Sequence, residues 1–381
     1  MIKLDPIKLQ KNIENTALDQ INQKNMLGCS ALVYQNGELL VEGYYGFAQN
    51  NTSSPITADS MYRMASMSKP ITAVCILLEM QRHRLDINDN LSKYIPGFEH
   101  KYVGRIVNGK LVKDRPAATQ IKLLHLLTHT SGLLSADEVA LKQPLPHEHG
   151  ATLESCANYY ADNILLSDSP FERSLYSGLA AFDVLSRVVE ITSGIPFDEY
   201  VKKNICDVLN MPDTTFVPND SQWNRLVAVH DKINGENVVR DFGKCTFENV
   251  PLTRFAGSCS IVSTLNDYAH FSQMLLHEGN YNGVQLIRSE YIRLMKTPHV
   301  PDTVAGIGPG ETWGLGVRVI KQDEYLAKGT FGWSGAYGTH FFVDPTNRIY
   351  AIYLKNSYYN GGSGAETARL FERDVMTAID C

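Results

Sequence analysis

The two ends of the chain carry matching strand patterns, and this match constrains the fold more than any other feature of the sequence. Near the N-terminus, apolar runs at Cys29–Tyr34 and Leu39–Gly43 flank an Asn-Gly turn, the strongest short signal for a hairpin. Near the C-terminus, apolar runs at 339–343 and 349–354 flank a second turn, Asp344–Asn347. Both pairs therefore predict neighbouring antiparallel strands.

Helical patterns lie outside these strand pairs. Residues 7–24 have apolar side chains spaced four apart, and residues 365–379 follow a Gly-rich loop. The region from about 86 to 254 contains mainly helical patterns and long loops, with no internal repeat. The order of helix, hairpin, insertion, strands and helix predicts an α+β fold, in which helices from both chain ends cover an antiparallel sheet.

Ser66 and Lys69 form the strongest candidate for chemistry. They stand at the start of a pattern that predicts a buried helix, where residues three apart share a face and free backbone N–H groups favour a developing oxyanion. A serine hydroxyl needs a neighbour to take its proton, and Lys69 is within reach. On spacing alone, a capping serine beside a solvated lysine is the better interpretation, so the motif depends on its context.

Composition narrows the possible partners. The 381 residues carry a net charge of −6 and include 44% hydrophobic and 20% charged residues, which is typical of a globular enzyme. The acidic balance and the lack of a basic run argue against nucleic acid. No apolar stretch reaches the roughly 18 to 20 residues of a membrane span, and the N-terminus lacks a secretory signal. If Met1 is the native start, these features predict a cytoplasmic protein.

Neither a metal nor a cofactor is predicted. The seven cysteines form no C-x-x-C pair and are expected to be free thiols in a reducing compartment, with Cys381 exposed. His147–His149 supplies two histidines without a third ligand, which favours a solvated loop over a metal site. The chain has no G-x-S-x-G, and this counts against an α/β-hydrolase.

Four motifs follow one another along nearly the whole chain. They are the segment around Ser66 (63–70), a helix leading to a tight turn (121–133), Tyr176-Ser177-Gly178, and Gly332 to Thr339. In this order they resemble the motifs of the serine β-lactamase and penicillin-binding protein superfamily, especially its class C β-lactamase and esterase branch. Four motifs in the family's order are far more specific than one.

The resemblance implies a β-lactamase-like fold with two domains. Residues 1–85 and 255–381 would form the domain that contains the sheet and its flanking helices, and residues 86–254 a mainly helical insertion domain. The active site would lie at the seam between them, as small-molecule sites often do.

The resemblance also implies the roles of individual residues. Ser66, Lys69 and Tyr176 would be catalytic, with Lys69 and Tyr176 sharing the proton of Ser66. The backbone N–H groups of Ser66 and Ala336 would form the oxyanion hole. The expected substrate contacts are Trp333, Ser334, Gly335, Tyr337 and Gly178.

Two departures from the family pattern concern the substrate. Gly178 stands where the family carries an asparagine that holds an amide, and Trp333 stands where penicillin-recognising members carry a lysine that pairs with a carboxylate. A site without these partners binds an anionic amide less well. We therefore expect a serine hydrolase that works through an acyl-enzyme, a carboxylesterase on small or short-acyl esters. The alternatives are a β-lactamase or D-amino-acid peptidase, an acyltransferase, or a non-catalytic binding or scaffold protein. The sequence does not predict an oligomeric state.

Overall fold

The protein is described by a computed structural model that covers residues 2–50, 54–144 and 151–380. The loop His147–His149 and Cys381 lie outside these residues. The strands, in chain order, are β1 (Gly28–Gln35), β2 (Glu38–Gly46), β3 (Met61–Arg63), β4 (Tyr102–Val107), β5 (Lys110–Pro116), β6 (His230–Ile233), β7 (Glu236–Val239), β8 (Val262–Thr264), β9 (Asn280–Tyr281), β10 (Val284–Gln285), β11 (Glu311–Trp313), β12 (Arg318–Ile320), β13 (Phe331–Ser334), β14 (His340–Asp344) and β15 (Ile349–Leu354).

The α-helices surround the strands at both chain ends and fill most of the middle of the chain. They are α1 (Pro6–Asn22), α2 (Ser68–Gln81), α3 (Leu123–Leu127), α4 (Glu138–Leu141), α5 (Leu153–Asn163), α6 (Ala180–Ser193), α7 (Phe197–Val201), α8 (Asp207–Leu209), α9 (Asp220–Arg225), α10 (Leu265–Leu276), α11 (Ser289–Met295) and α12 (Glu366–Met376). Short 3-10 turns occur at Ala65–Met67, Leu91–Lys93 and Pro96–Phe98, and a π-helical turn at Lys202–Cys206.

A seven-stranded antiparallel sheet forms the centre of the fold, in the order β11-β12-β13-β14-β15-β1-β2. The N-terminal hairpin joins the C-terminal strands through β1 and β15, which pair over six residues from Ser30 opposite Leu354 to Gln35 opposite Ile349. The two predicted strand pairs are therefore neighbours in one sheet. The predicted α+β fold, an antiparallel sheet covered by helices from both chain ends, is confirmed.

Helices cover both faces of this sheet. Alternate residues of a strand point to opposite faces. In β1, Ala31 and Val33 belong to a core layer shared with α1 and α12, whereas Leu32 belongs to the larger core around α2, α6 and α10. The large core contains most of the buried face of α2, which places the residues at the start of that helix beside the sheet.

The middle of the chain is less purely helical than we predicted. It contains two hairpins, β4–β5 and β6–β7, in which β5 and β7 are largely exposed and β4 and β6 are partly buried. They lack the apolar alternation of a half-buried sheet, which is why the pattern did not show them. The proposed division into two domains stays a prediction. In the described residues, no helix has the length and apolar character needed to cross a membrane.

Candidate active site

Ser66 lies in the tight 3-10 turn that leads into α2. Ala65 before it has φ of +47°, a left-handed conformation that is uncommon for a residue with a side chain. The Thr339 hydroxyl and the backbone N–H of Met67 both donate to the carbonyl of Met64, at 3.0 and 3.1 Å. Ser66 keeps some exposed surface, whereas its neighbours are buried. The turn therefore presents one hydroxyl to solvent from a fixed backbone.

Lys69 is fully buried one turn later, and its amine has three partners. Nζ lies 2.7 Å from the carbonyl oxygen of Gly178, 2.9 Å from that of Ser258 and 3.1 Å from Ser66 Oγ. The two carbonyls can only accept, so they occupy two N–H groups of the amine. The third position of Nζ faces Ser66, where it can hold either a proton or a lone pair. This is the geometry that proton exchange between Ser66 and Lys69 requires.

Tyr176 reaches the same hydroxyl from the segment before α6. Its phenol donates to Ser66 Oγ at 2.7 Å, and the Lys69 amine lies 5.1 Å from the centre of its ring. The structure thus brings Ser66, Lys69 and Tyr176 together from positions up to 110 residues apart in sequence. Ser66 Oγ has both a lysine amine and a phenol as possible proton acceptors.

Two tryptophans pack together against Tyr176. The Trp333 indole N–H donates to the Tyr176 hydroxyl oxygen at 3.3 Å, and the rings lie 5.2 Å apart. Trp313 lies on the same side of Tyr176, nearly parallel to it with ring centres 6.1 Å apart, and its ring centre is 4.6 Å from that of Trp333. An N–H donated to the phenol oxygen stabilises negative charge that develops there when Tyr176 takes or passes a proton.

The end of β13 approaches the Ser66 turn closely at Gly335. A Cβ at this position would lie 2.4 Å from the carbonyl oxygen of Met64 and 2.2 Å from the Thr339 hydroxyl. Only glycine fits there. The next residue, Ala336, is exposed in a turn, and its N–H has no hydrogen-bond partner among the described residues. That N–H is therefore free to bind an oxyanion beside Ser66.

Two of the expected substrate contacts lie away from this site. The Ser334 side chain points to the sheet face opposite Trp333, where its hydroxyl bonds to Nδ1 of His340 at 2.8 Å. Tyr337 is fully buried in a small cluster with Ala65, Val229 and other aromatic rings. We therefore correct the prediction for both residues, because neither side chain has surface with which to touch a substrate.

Gly178 lies at the other end of the site and borders an apolar groove. A Cβ at residue 178 would meet no atom within 4 Å. The groove has a volume of about 300 Å³ and runs between the start of α6 and α4, where its apolar lining consists of Leu134, Ala136, Ala140, Leu141, Leu179 and Ala180. Lys69 links this groove to Ser66, because its amine contacts both the Gly178 carbonyl and the nucleophile.

Sequence reasoning missed several residues that shape the site. Trp313 and His129 both pack on Tyr176, and the carbonyl of Ser258 accepts from Lys69, a backbone contact with no sequence signal. The Asn356 side chain also bonds to both the N–H and the carbonyl of Arg63, and so ties the strand before Ser66 to the end of β15. Within the described residues, no group of three or more His, Cys, Asp or Glu side chains could hold a metal.

Comparison with known proteins shows the family of this chain. The family described as Beta-lactamase matches residues 13–372. The chain is 26% identical to the esterase EstB of Burkholderia gladioli over 98% of this chain and 97% of that protein. It is 23% identical to a putative D-alanyl-D-alanine carboxypeptidase of Escherichia coli, over 85% of this chain and 75% of that one.

The fold is also similar to solved structures. EstCE1, a hydrolase with promiscuous acyltransferase activity, superposes with a TM-score of 0.80 and 22% identity, covering 97% of this chain and 99% of the other. The family match and the related esterase define the chain as a serine hydrolase. It belongs to the beta-lactamase family.

Proposed function

We propose that the protein is a carboxylesterase that hydrolyses small, uncharged esters through an acyl-enzyme on Ser66. The observation that carries the proposal is the contact of Ser66 Oγ with both Lys69 and Tyr176, at 3.1 and 2.7 Å, beside a pocket wall of two tryptophans. The similarity to the esterase EstB supports the same class of reaction.

The proposed mechanism follows from these contacts. Ser66 Oγ attacks the ester carbonyl carbon while Lys69 and Tyr176 together take its proton. The N–H groups of Ser66 and Ala336 bind the oxyanion, a contribution of a few kcal/mol per donor. The shared proton then passes to the leaving alkoxide, and water releases the acyl group by the reverse sequence.

The surroundings of Ser66 favour an ester over a β-lactam or a D-amino-acid peptide. Gly178 has no side-chain amide that could bind the amide of such a substrate. Trp333 has an uncharged indole where the carboxylate of such a substrate would need a cation. The groove beside Gly178 is apolar and suits a short aliphatic acyl chain. We assign the groove to the acyl group, because the leaving alkoxide must lie against the Tyr176 hydroxyl, on the side covered by Trp313 and Trp333.

Acyl transfer to an alcohol is the second candidate. It uses the same acyl-enzyme and replaces water by another acceptor in the second step. The name of the structural neighbour EstCE1 includes promiscuous acyltransferase activity, which favours testing it.

The test compares initial rates on nitrophenyl butyrate, on the matching butyryl nitroanilide and on a chromogenic cephalosporin. We expect the ester to be the best substrate. Ser66→Ala should lose at least about 1,000-fold in kcat, and Lys69→Ala and Tyr176→Phe at least about 100-fold each. Tyr291→Phe is the matched control, because that hydroxyl bonds to Arg288 at 2.9 Å and has no contact with the site.

Three outcomes separate the candidates. Faster turnover of the cephalosporin than of the ester would contradict the esterase proposal. Ester turnover that persists in Ser66→Ala would contradict the nucleophile. Butyryl transfer that exceeds hydrolysis when an added alcohol is present at modest concentration would make the protein an acyltransferase.

A further inference from the structure

His129 lies in the tight turn that follows α3, directly beneath Tyr176. Its φ is +54°, and its side chain is almost completely buried. A left-handed backbone is uncommon for histidine, so the surrounding structure must hold it in place. Chemistry at Ser66 makes no direct use of this ring.

Two hydrogen bonds from the segment around Tyr176 end on this one residue. The backbone N–H of Leu175 donates to the His129 carbonyl at 3.0 Å, and the N–H of Ser177 donates to its ring Nδ1 at 3.2 Å. The residues on both sides of Tyr176 are thus fixed to the same histidine.

The ring also packs against the side chain that it positions. Its centre lies 4.5 Å from the Tyr176 ring, 4.4 Å from Trp313 and 5.4 Å from Phe182. Burial, and then the positive charge of Lys69, hold the pKa of His129 well below its ordinary value. The ring is therefore neutral. Since Nδ1 accepts, the proton is on Nε2, which has no hydrogen-bond partner among the described residues.

We infer that His129 is a positioning residue that fixes the Tyr176 hydroxyl at Ser66 through its bonds to the N–H groups of Leu175 and Ser177. The inference rests on the proposed function, because it assigns Tyr176 a share in proton transfer. A neutral acceptor is needed at Nδ1, since a protonated ring could not receive the Ser177 N–H. A displacement of about 1 Å at a catalytic group can cost roughly 100-fold in rate.

The test is a double-mutant cycle on nitrophenyl butyrate. His129→Leu keeps bulk and removes the ring acceptor, and we expect kcat to fall about 10- to 100-fold with little change in KM. His129→Asn supplies an acceptor and tolerates a positive φ, so it should recover much of this loss. In a Tyr176→Phe background, His129→Leu should cost little more, because the hydroxyl that it positions is already gone.

His125→Leu is the matched control. That ring also accepts a backbone N–H, from Lys122 at 3.1 Å, but it lies at the start of α3, away from Tyr176. An equal loss in His125→Leu, or an additive loss in the Tyr176→Phe background, would overturn the inference while leaving the esterase intact. Loss of Ser66 dependence would instead contradict the proposed function.

A measurement that does not depend on turnover tests the same inference. With 3-fluorotyrosine at position 176, the ¹⁹F spectrum should show one sharp resonance in the parent and in His129→Asn, and broadening or a second resonance in His129→Leu. An unchanged spectrum in His129→Leu would overturn the inference. If the leucine variant does not fold, 2-thienylalanine at position 129 keeps the ring shape without the acceptor and takes its place.

Discussion

At residue 333, an indole N–H stands where related penicillin-recognising proteins carry a lysine. The exchange removes a cation and retains a donor, because Trp333 Nε1 lies 3.3 Å from the Tyr176 oxygen. A neutral donor stabilises charge on the phenol oxygen without attracting an anionic substrate. The sequence shows a tryptophan at position 333, and this residue predicted a neutral substrate. Its bond to Tyr176 depends on the position of β13 and could not be predicted from the sequence.

Trp333→Phe tests this bond. It removes the N–H and keeps an aromatic ring, so we expect kcat for ester hydrolysis to fall about 10-fold, as for loss of a hydrogen bond to a developing charge. Trp313→Phe is the control, since Trp313 contacts Tyr176 through its ring alone. Steady-state kinetics with equal losses in the two variants would contradict a role for the Trp333 N–H.

At the scale of secondary-structure elements, the Asn-Gly turns show what a short sequence motif can predict about the strands beside it. Asn36-Gly37 predicted the β1–β2 hairpin, and both residues have positive φ, of 54° and 83°. Asn108-Gly109 and Asn234-Gly235 have the same conformation in the β4–β5 and β6–β7 hairpins. These two were missed although apolar residues stand near both turns, because neither hairpin has the alternation of apolar and polar residues that marks a half-buried strand. The Asn-Gly dipeptide alone indicated each of these turns.

The junction between β13 and the Ser66 turn tolerates no side chain. We expect Gly335→Ala to reduce kcat by at least about 100-fold, because the methyl group would separate Ala336 from Ser66 and misplace an oxyanion donor. Gly329→Ala is the control, because a Cβ there would meet no atom within 4 Å and any loss would come from its φ of +88° alone. Kinetics and thermal melting distinguish a lost donor from lost folding; an active Gly335→Ala would contradict the oxyanion assignment.

We propose that the groove between α4 and α6 binds the acyl chain and so determines which chain lengths are hydrolysed fastest. Ala140 lines it, and Ala140→Phe should fill part of the space. Turnover of nitrophenyl hexanoate should then fall at least about 10-fold relative to the acetate, since each methylene contributes about 0.8 kcal/mol when buried. A panel of nitrophenyl esters from acetate to octanoate measures this ratio. An unchanged ratio would place the acyl chain elsewhere.

For the whole molecule, the sequence predicted the strand pairs at both ends and the grouping of Ser66 with Lys69 and Tyr176. Those predictions came from local periodicity and from motif order, both of which are encoded in neighbouring residues. The sequence did not predict the burial of Tyr337 or the contact of Ser334 with His340, because these depend on which sheet face a residue occupies and on what covers it. Backbone partners such as the Ser258 carbonyl have no sequence signature.

Stability of the whole molecule should depend on Lys355. Burial lowers the pKa of this lysine to about 7, and its amine contacts only the Tyr359 carbonyl and the Thr367 hydroxyl among the described residues. The unfolded chain therefore binds the proton more tightly between pH 7 and the ordinary lysine pKa near 10.4, so the cost of burying this charge falls and stability rises with pH through that window. The full change in the free energy of unfolding is about 3 to 5 kcal/mol.

Lys355→Met removes this titration. Urea unfolding at pH 7 and at pH 10 should show that the parent gains stability relative to the variant at the higher pH. An equal change of unfolding free energy with pH in the parent and in Lys355→Met would contradict the lowered pKa of Lys355.

The most direct test of the central claim is intact-protein mass spectrometry after rapid mixing with nitrophenyl butyrate and acid quenching. We predict one added butyryl group, located on the peptide that contains Ser66, which disappears as the substrate is exhausted and is absent in Ser66→Ala. Turnover with no butyryl adduct at any quench time, or an adduct that persists in Ser66→Ala, would contradict an acyl-enzyme on Ser66.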